Sequence, residues 1–270
     1  RVKLLGEDLV AFKDTDGRIG LLEEFCAHRR ASLFLGRNED CGLRCVFHGW
    51  KYDVDGNVLD TPAEPPNSRF KSKIKHPAYP THEVAGIIFA YMGPQPAPIL
   101  PMWDLLAWTN VTRSITTTML PCNWLQCQEN SLDPVHFEWL HGYWGEVQMR
   151  EAKRKNGDAP ELVPIVPKHH KKIGFSEFDN GIIKRRVAGE NATEDDADWQ
   201  VGHPAIFPNI LYVGDMVKCN FQYRVPVDDY TTLHVTWFFY KSAPGVKQPK
   251  QAKIPSWRVP LFGADGALIP

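Results

Sequence analysis

The chain has 270 residues, 43% of them hydrophobic and 23% charged, with a net charge of −1. That is the balance of an ordinary globular protein, long enough for one large or two ordinary domains. A charge this small gives no global attraction to nucleic acid or to an anionic membrane, and no apolar run reaches the roughly 18 residues that a spanning helix needs.

The chain opens on Arg1, and "RVKLLGEDLVAF" lacks the layout of a signal peptide. A cytoplasmic location is expected, and the first residues read as the interior of an element, so a fragment is expected too. "LVAFKDTDGRIGLLEE" is two apolar runs around Asp16-Gly17, a hairpin signal. "LRCVFHGWKYDVDGNVLD" repeats the pattern, with a turn at Asp55-Gly56-Asn57. "VAGIIFAYMG" reads as one buried strand closing an all-β module. "TPAEPPNSRF" is a loop, and the proline-rich "PQPAPILP" predicts a boundary near residue 100.

The second region, 101–270, changes character. "CNWLQCQENSLDPVHFEWLHG" has helical periodicity, with Asp133-Pro134 either an N-cap and first turn or a kink in a longer helix. "KKIGFSEFDNGIIKRRV" is a hairpin turning at Asn180-Gly181. "DMVKCNFQYRVPVDDYTTLHVTWFFY" is two strands around Asp228-Asp229. The fold class is α+β, an all-β domain followed by an antiparallel sheet with helices. "EAKRKNGDAPE" reads as a solvated loop, His203-Pro204 as a turn, and His169-His170 as the surface start of a strand. Cys122 and Cys127 are taken as buried on one helix. His234 either lines a pocket or packs within its strand.

Two constellations carry chemistry. Cys26 and His28 form a C-x-H pair, Cys45 and His48 a C-x-x-H pair, with sixteen residues between His28 and Cys45. Zinc takes the same atoms, but zinc fingers group like ligands together, whereas each loop here supplies one thiolate and one imidazole. That suits a two-iron cluster, one iron on Cys26 and Cys45, the other on His28 and His48. Gly49-Trp50 lets the chain turn beside the cluster and cover it. The pattern resembles the Rieske family. The extra cysteine pair of high-potential members is missing: Ala31 and Phe47 stand at those places, and Cys41 lacks a partner near the first loop. A potential toward the reducing end of the roughly −150 to +300 mV Rieske range is expected.

The second constellation is Asp133-x-x-His136-x-x-x-x-His141, preceded by Glu129-Asn130. Residues five apart on a straight α-helix point about 140° apart, so the helix must end or distort between the histidines. Gly142 suggests that it ends. Phe137, Trp139 and Leu140 are candidates to dry a pocket.

The words "GLRCVFHGWKYDVDGN", "ENSLDPVHFEWLHG" and "YRVPVDDYTTLHVTW" resemble the Rieske non-haem iron ring-hydroxylating oxygenases, alpha subunit, phthalate-dioxygenase-like branch. The resemblance implies a Rieske domain over 1–100 and a helix-grip catalytic domain over 101–270, both truncated at their outer ends. It implies a [2Fe–2S] cluster and mononuclear Fe(II) on His136 and His141. Asp133 becomes a bridge between His136 and a cluster histidine, His28 or His48, of a neighbouring subunit. Read from the residues alone, Asn130 either tunes the iron from outside its ligands or simply sits in the helix. The third ligand is expected beyond Pro270, with Asp265 in a turn, so the chain as given is expected to bind this iron poorly. Further implications are NAD(P)H acting through a separate flavin/iron–sulfur reductase, or ferredoxin plus reductase, dioxygen, a small aromatic substrate, and a homotrimer or hexamer. Hydroxylation, dihydroxylation and demethylation all stay open. The other reading is a Rieske electron carrier with no oxygenase site.

Overall fold

The computed structural model describes residues 1–156, 169–214, 217–248 and 250–269. The chain divides into two compact units: Arg1–Thr109 with Gln251–Ile254, and Asn110–Lys250 with Pro255–Pro270.

The first unit is made of short antiparallel strands. β1 (Val2–Leu4), β2 (Glu7–Lys13) and β3 (Ile19–Glu23) form one sheet. β4 (Arg37–Glu39), β5 (Gly42–Arg44), β6 (Lys51–Tyr52) and β7 (Val58–Asp60) form a second, and β8 (Thr81–Val84) pairs with β9 (Ile87–Ala90). The short helix α1 (Asp104–Ala107) follows the proline-rich stretch.

Both predicted turns are present, each organised by an aspartate. Asp14 Oδ1 accepts the amides of Asp16 and Arg18 at 3.0 and 2.7 Å. Asp53 Oδ1 accepts those of Asp55 and Asn57 at 3.0 and 2.8 Å. Side-chain acceptors of this kind stabilise a turn locally. Gly56 is required sterically: its φ is +77°, and a Cβ there would lie 2.1 Å from the His76 carbonyl oxygen.

The expected single strand "VAGIIFAYMG" is instead a hairpin. The chain reverses at Ala85 and Gly86, with φ of 45° and 89°, and most of its strand residues are half-buried or exposed. Continuous apolarity concealed a glycine turn. The core gathers Val10, Leu22, Leu33, Leu43, Trp50, Tyr52 and Val58 around Cys26 and Cys45. Each large side chain buried there contributes roughly 1.5–3 kcal/mol.

The second unit is one eight-stranded sheet. Its strands are β10 (Val111–Leu120), β11 (His170–Phe178), β12 (Gly181–Ala188), β13 (His203–Ile206), β14 (Ile210–Gly214), β15 (Lys218–Pro226), β16 (Thr232–Lys241) and β17 (Ser256–Arg258). Their order is β11-β12-β13-β14-β15-β16-β10-β17. Pairing is antiparallel except for β17, which lies parallel to β10, so the sheet is mixed rather than purely antiparallel.

The hairpins at Asn180-Gly181 and Asp228-Asp229 form as read, although Asp215 and Met216 lie outside the described residues. His203-Pro204 opens β13 instead of turning. The register aligns Ile115, Trp237 and Phe221 across three strands. All three are nearly fully buried, on the core face. Side chains alternate, so Thr118, His234 and Arg224 share the opposite face.

Among the described residues this unit has three α-helices: α2 (Trp124–Leu132), α3 (Trp144–Asn156) and the one-turn α4 (Ala197–Gln200). Asn123 caps α2 by accepting the Leu125 amide at 2.9 Å, so Cys122 precedes the helix and does not share it with Cys127. α3 includes the first part of the stretch read as a loop; residues 157–161 lie outside the described residues. No helix among the described residues is long and apolar enough to cross a membrane.

Candidate metal centres

The first centre rests on two tight loops. The first runs from Cys26 to Ala31, where the Cys26 amide donates to the Ala31 carbonyl at 2.9 Å. The second runs from Cys45 to Trp50, closed by the Cys45 amide on the Trp50 carbonyl at 2.8 Å. Gly49, at φ +74°, makes that return possible. Trp50 then stacks flat on His28, with ring centroids 4.9 Å apart.

The imidazoles of His28 and His48 meet edge to face at 4.6 Å. Nδ1 of each is buried and has no hydrogen-bond partner. Buried polar atoms are rarely left this way without a reason. Cys26 and Cys45 are each 2% exposed, and burial, reinforced by Cys26, pushes the Cys45 thiol up. Burial pulls His28 down, helped by His48 and Arg29, which favours a neutral ring. Two soft thiol ligands and two neutral rings with orphaned nitrogens fit a Rieske cluster.

Tyr52 was missed from sequence. Its hydroxyl is 3.0 Å from Cys26 Sγ and accepts the Ala27 amide at 3.2 Å. Arg44 was missed as well; its Nη1 donates to the Gly49 carbonyl and to Asp60 Oδ2. No motif marks either residue, because their partners are loop atoms distant or backbone.

The second centre sits where α2 stops. Asp133 lies at the C-cap of α2, and its carboxylate also receives the next turn: Oδ1 accepts the Val135 amide at 2.8 Å, Oδ2 the His136 amide at 3.3 Å. The N-cap reading of Asp133-Pro134 is therefore the one the backbone takes. Phe137–Tyr143 is then a π-helix, leading directly into α3. Its i→i+5 hydrogen bonding brings residues five apart onto one side. His136 and His141 meet with centroids 5.3 Å apart. The helix distorts and does not end; Gly142 is buried inside it.

His136 Nδ1 is buried, without a hydrogen-bond partner, and 3.5 Å from Asp133 Oδ2. Burial lowers the His136 pKa against the pull of Asp133, again favouring the neutral ligand form. Two neutral imidazoles on one side fit part of an iron(II) site. Among the described residues, no three His, Cys, Asp or Glu side chains converge on one ion position. Asp265 forms a local turn, its Oδ1 accepting the Ala267 amide at 3.0 Å. Asn130 is exposed on α2, with its carbonyl accepting the Asp133 amide. Trp139 and Leu140 are 63% and 53% exposed, so in this structure they do not dry a pocket.

Charged residues from the sheet reach this segment, none of them anticipated. Lys184 is buried, its ammonium donating to the Ser131 carbonyl at 2.7 Å. Burial and nearby Arg186 lower its pKa to about 8. The Arg186 guanidinium lies 4.3 Å from the Phe137 ring centre and bonds Asp198 and His203, each at 3.2 Å. His170, expected at the surface, is buried against Glu138. A cleft of about 530 Å³ opens beside Asp133 and Pro134, walled by Phe175 and Ile182.

Comparison with known proteins adds four findings. The Rieske [2Fe-2S] domain family matches residues 1–80. The 5,5'-dehydrodivanillate O-demethylase oxygenase subunit of a Sphingobium species is 42% identical across 99% of this chain and 60% of its own length. The phthalate 4,5-dioxygenase oxygenase subunit of Pseudomonas putida is 51% identical across 88% of this chain and 54% of its own. The chain thus spans little more than half the length of these relatives. Among solved structures, the oxygenase–ferredoxin complex of carbazole 1,9a-dioxygenase aligns with a TM-score of 0.63 at 20% identity, over 90% of this chain and 67% of that one. At that identity the likeness speaks for the fold.

Proposed function

The chain belongs to the Rieske ring-hydroxylating oxygenase alpha subunits, phthalate-dioxygenase-like, and carries their [2Fe–2S] domain; from this premise we propose that it is the terminal oxygenase of a multicomponent system acting on an aromatic or related organic compound. The observation that carries the reading is the pair of ligand sets in one chain. One set has orphaned, buried Nδ1 atoms on His28 and His48; the other has His136 and His141 drawn together by a π-turn.

When bound, the cluster supplies single electrons and a mononuclear iron on His136 and His141 supplies the place where dioxygen is activated. The protein's own groups do the rest. Cys26, His28, Cys45 and His48 hold the cluster, with Tyr52 restraining Cys26. Asp133 holds the start of the turn through the Val135 and His136 amides, lies 3.5 Å from His136 Nδ1, and offers its half-exposed carboxylate to His28 or His48 of a second copy. A homotrimer or hexamer is the assembly in which this bridge would form. Reducing equivalents come from NAD(P)H through a reductase, with or without a ferredoxin. Asn130, exposed on α2, is a neighbour that tunes the iron from outside its ligands.

Iron analysis tests the whole reading. Three irons and two acid-labile sulfides per chain are expected in the full-length, iron-loaded oxygenase. Two irons would leave an electron carrier. Asp133→Asn tests the bridge: both metals stay bound while substrate-coupled dioxygen consumption falls by orders of magnitude. Unchanged turnover would remove Asp133 from the electron route.

A further inference from the structure

We propose that Glu138 and His170 are positioning residues whose hydrogen-bonded pair holds the π-turn that brings His136 and His141 together. The inference rests on the mononuclear-iron reading of that pair.

A π-turn is a rare excursion that costs good α-helical packing, and it persists where the surroundings favour it. Within Phe137–Tyr143, residues Trp139, Leu140 and His141 face solvent. Packing against them cannot fix the turn. Gly142 is buried but carries no side chain, and Phe137 and Glu138 are half-buried, so the sheet reaches the turn through the side chains of its first two residues.

Phe137 is gripped by the Arg186 guanidinium. Glu138 is gripped more tightly. Its Oε1 accepts both the backbone amide of His170 at 2.7 Å and the ring Nδ1 at 2.6 Å. Two donors from one residue fix the position and direction of the carboxylate. His170 opens β11 beside a register shift between His170 and Lys172, and its side chain is 1% exposed.

The cost of the arrangement supports a role. Nδ1 donates to Glu138, leaving the buried Nε2 of His170 without a partner among the described residues. A packing residue alone would do without that orphan. Glu138 also separates the two candidate ligands in sequence and lies in the turn that relates them. Moving its Cα moves the angle between the rings. Outer partners that orient ligands typically change metal affinity 10–100-fold when removed.

The test uses the iron-loaded full-length protein. Ferrous affinity is measured by chelator competition, with the Rieske electron paramagnetic resonance signal as an internal control from the other unit. Glu138→Ala should weaken mononuclear iron about 10–100-fold and leave the Rieske signal unchanged. Glu138→Gln keeps an acceptor oxygen for both donors and should restore affinity to within about threefold, by the same orientation argument. Affinity unchanged in Glu138→Ala, or no rescue by Gln, would overturn the proposal. Should Glu138→Ala unfold, His170→Asn decides. It keeps the amide donor, loses the ring contact, and must weaken iron measurably; wild-type affinity would overturn the pair's role. A wild type with no third iron would instead sink the iron-site reading, and the proposal with it.

Discussion

Tyr52 places a hydroxyl 3.0 Å from the Cys26 sulfur, inside the core of its unit. A hydrogen bond to a ligand sulfur stabilises the more negative, reduced state of a cluster. Tyr52→Phe should lower the potential by ~40–60 mV, the equivalent of a bond worth about 1–1.5 kcal/mol in a one-electron couple. Protein-film voltammetry reads the shift directly. His234 gives a second prediction. Burial, aided by Arg224, lowers its pKa from 6.5 to about 4. Between those values the unfolded chain binds more protons than the folded one. Stability therefore rises with pH through the window and is lost on acidification, by of order 3 kcal/mol. Urea unfolding of His234→Gln should show a smaller loss between pH 7 and pH 4.5 than the wild type. At this scale the six candidate ligands were legible because their spacing is local. Tyr52, Lys184 and His170 were not. Their partners lie 26, 53 and 32 residues away, and only the folded chain brings them together.

The segment from α2 to α3 shows what spacing can and cannot settle. The five-residue spacing of His136 and His141 conflicts with a straight α-helix, and that conflict was readable. Its resolution was not, because Gly142 is equally at home as a terminator and as a small residue buried in a wide turn. β10 escaped notice for a related reason. "VTRSITTTML" alternates threonine and serine with mixed neighbours, so it has no apolar period to find. The end of α2 can be tested through Lys184, which satisfies the Ser131 carbonyl from below. Lys184→Met keeps the bulk and removes the donor. Leaving that carbonyl buried and unbonded should cost about 1–2 kcal/mol, seen as a lower urea midpoint. An unchanged midpoint would mean that water replaces the ammonium.

Over the whole molecule, the order of a strand-rich first region and a sheet-plus-helix second region followed from turn signals and periodicity. The return of the chain did not. Gln251–Ile254 leaves the second unit, joins the first, and departs again into β17. Four residues with little pattern carry no signal of that kind. Their fit is close: a Cβ on Gly86, at φ +89°, would lie 2.9 Å from Ile254 Cδ1. So the covalent order and the folded partition differ. A protease nick at the Thr109–Asn110 link would divide the backbone yet leave part of the downstream piece embedded in the upstream one. The two products should co-elute on gel filtration and separate only in denaturant, and a graft that moves the first unit into another protein would have to carry two pieces of chain.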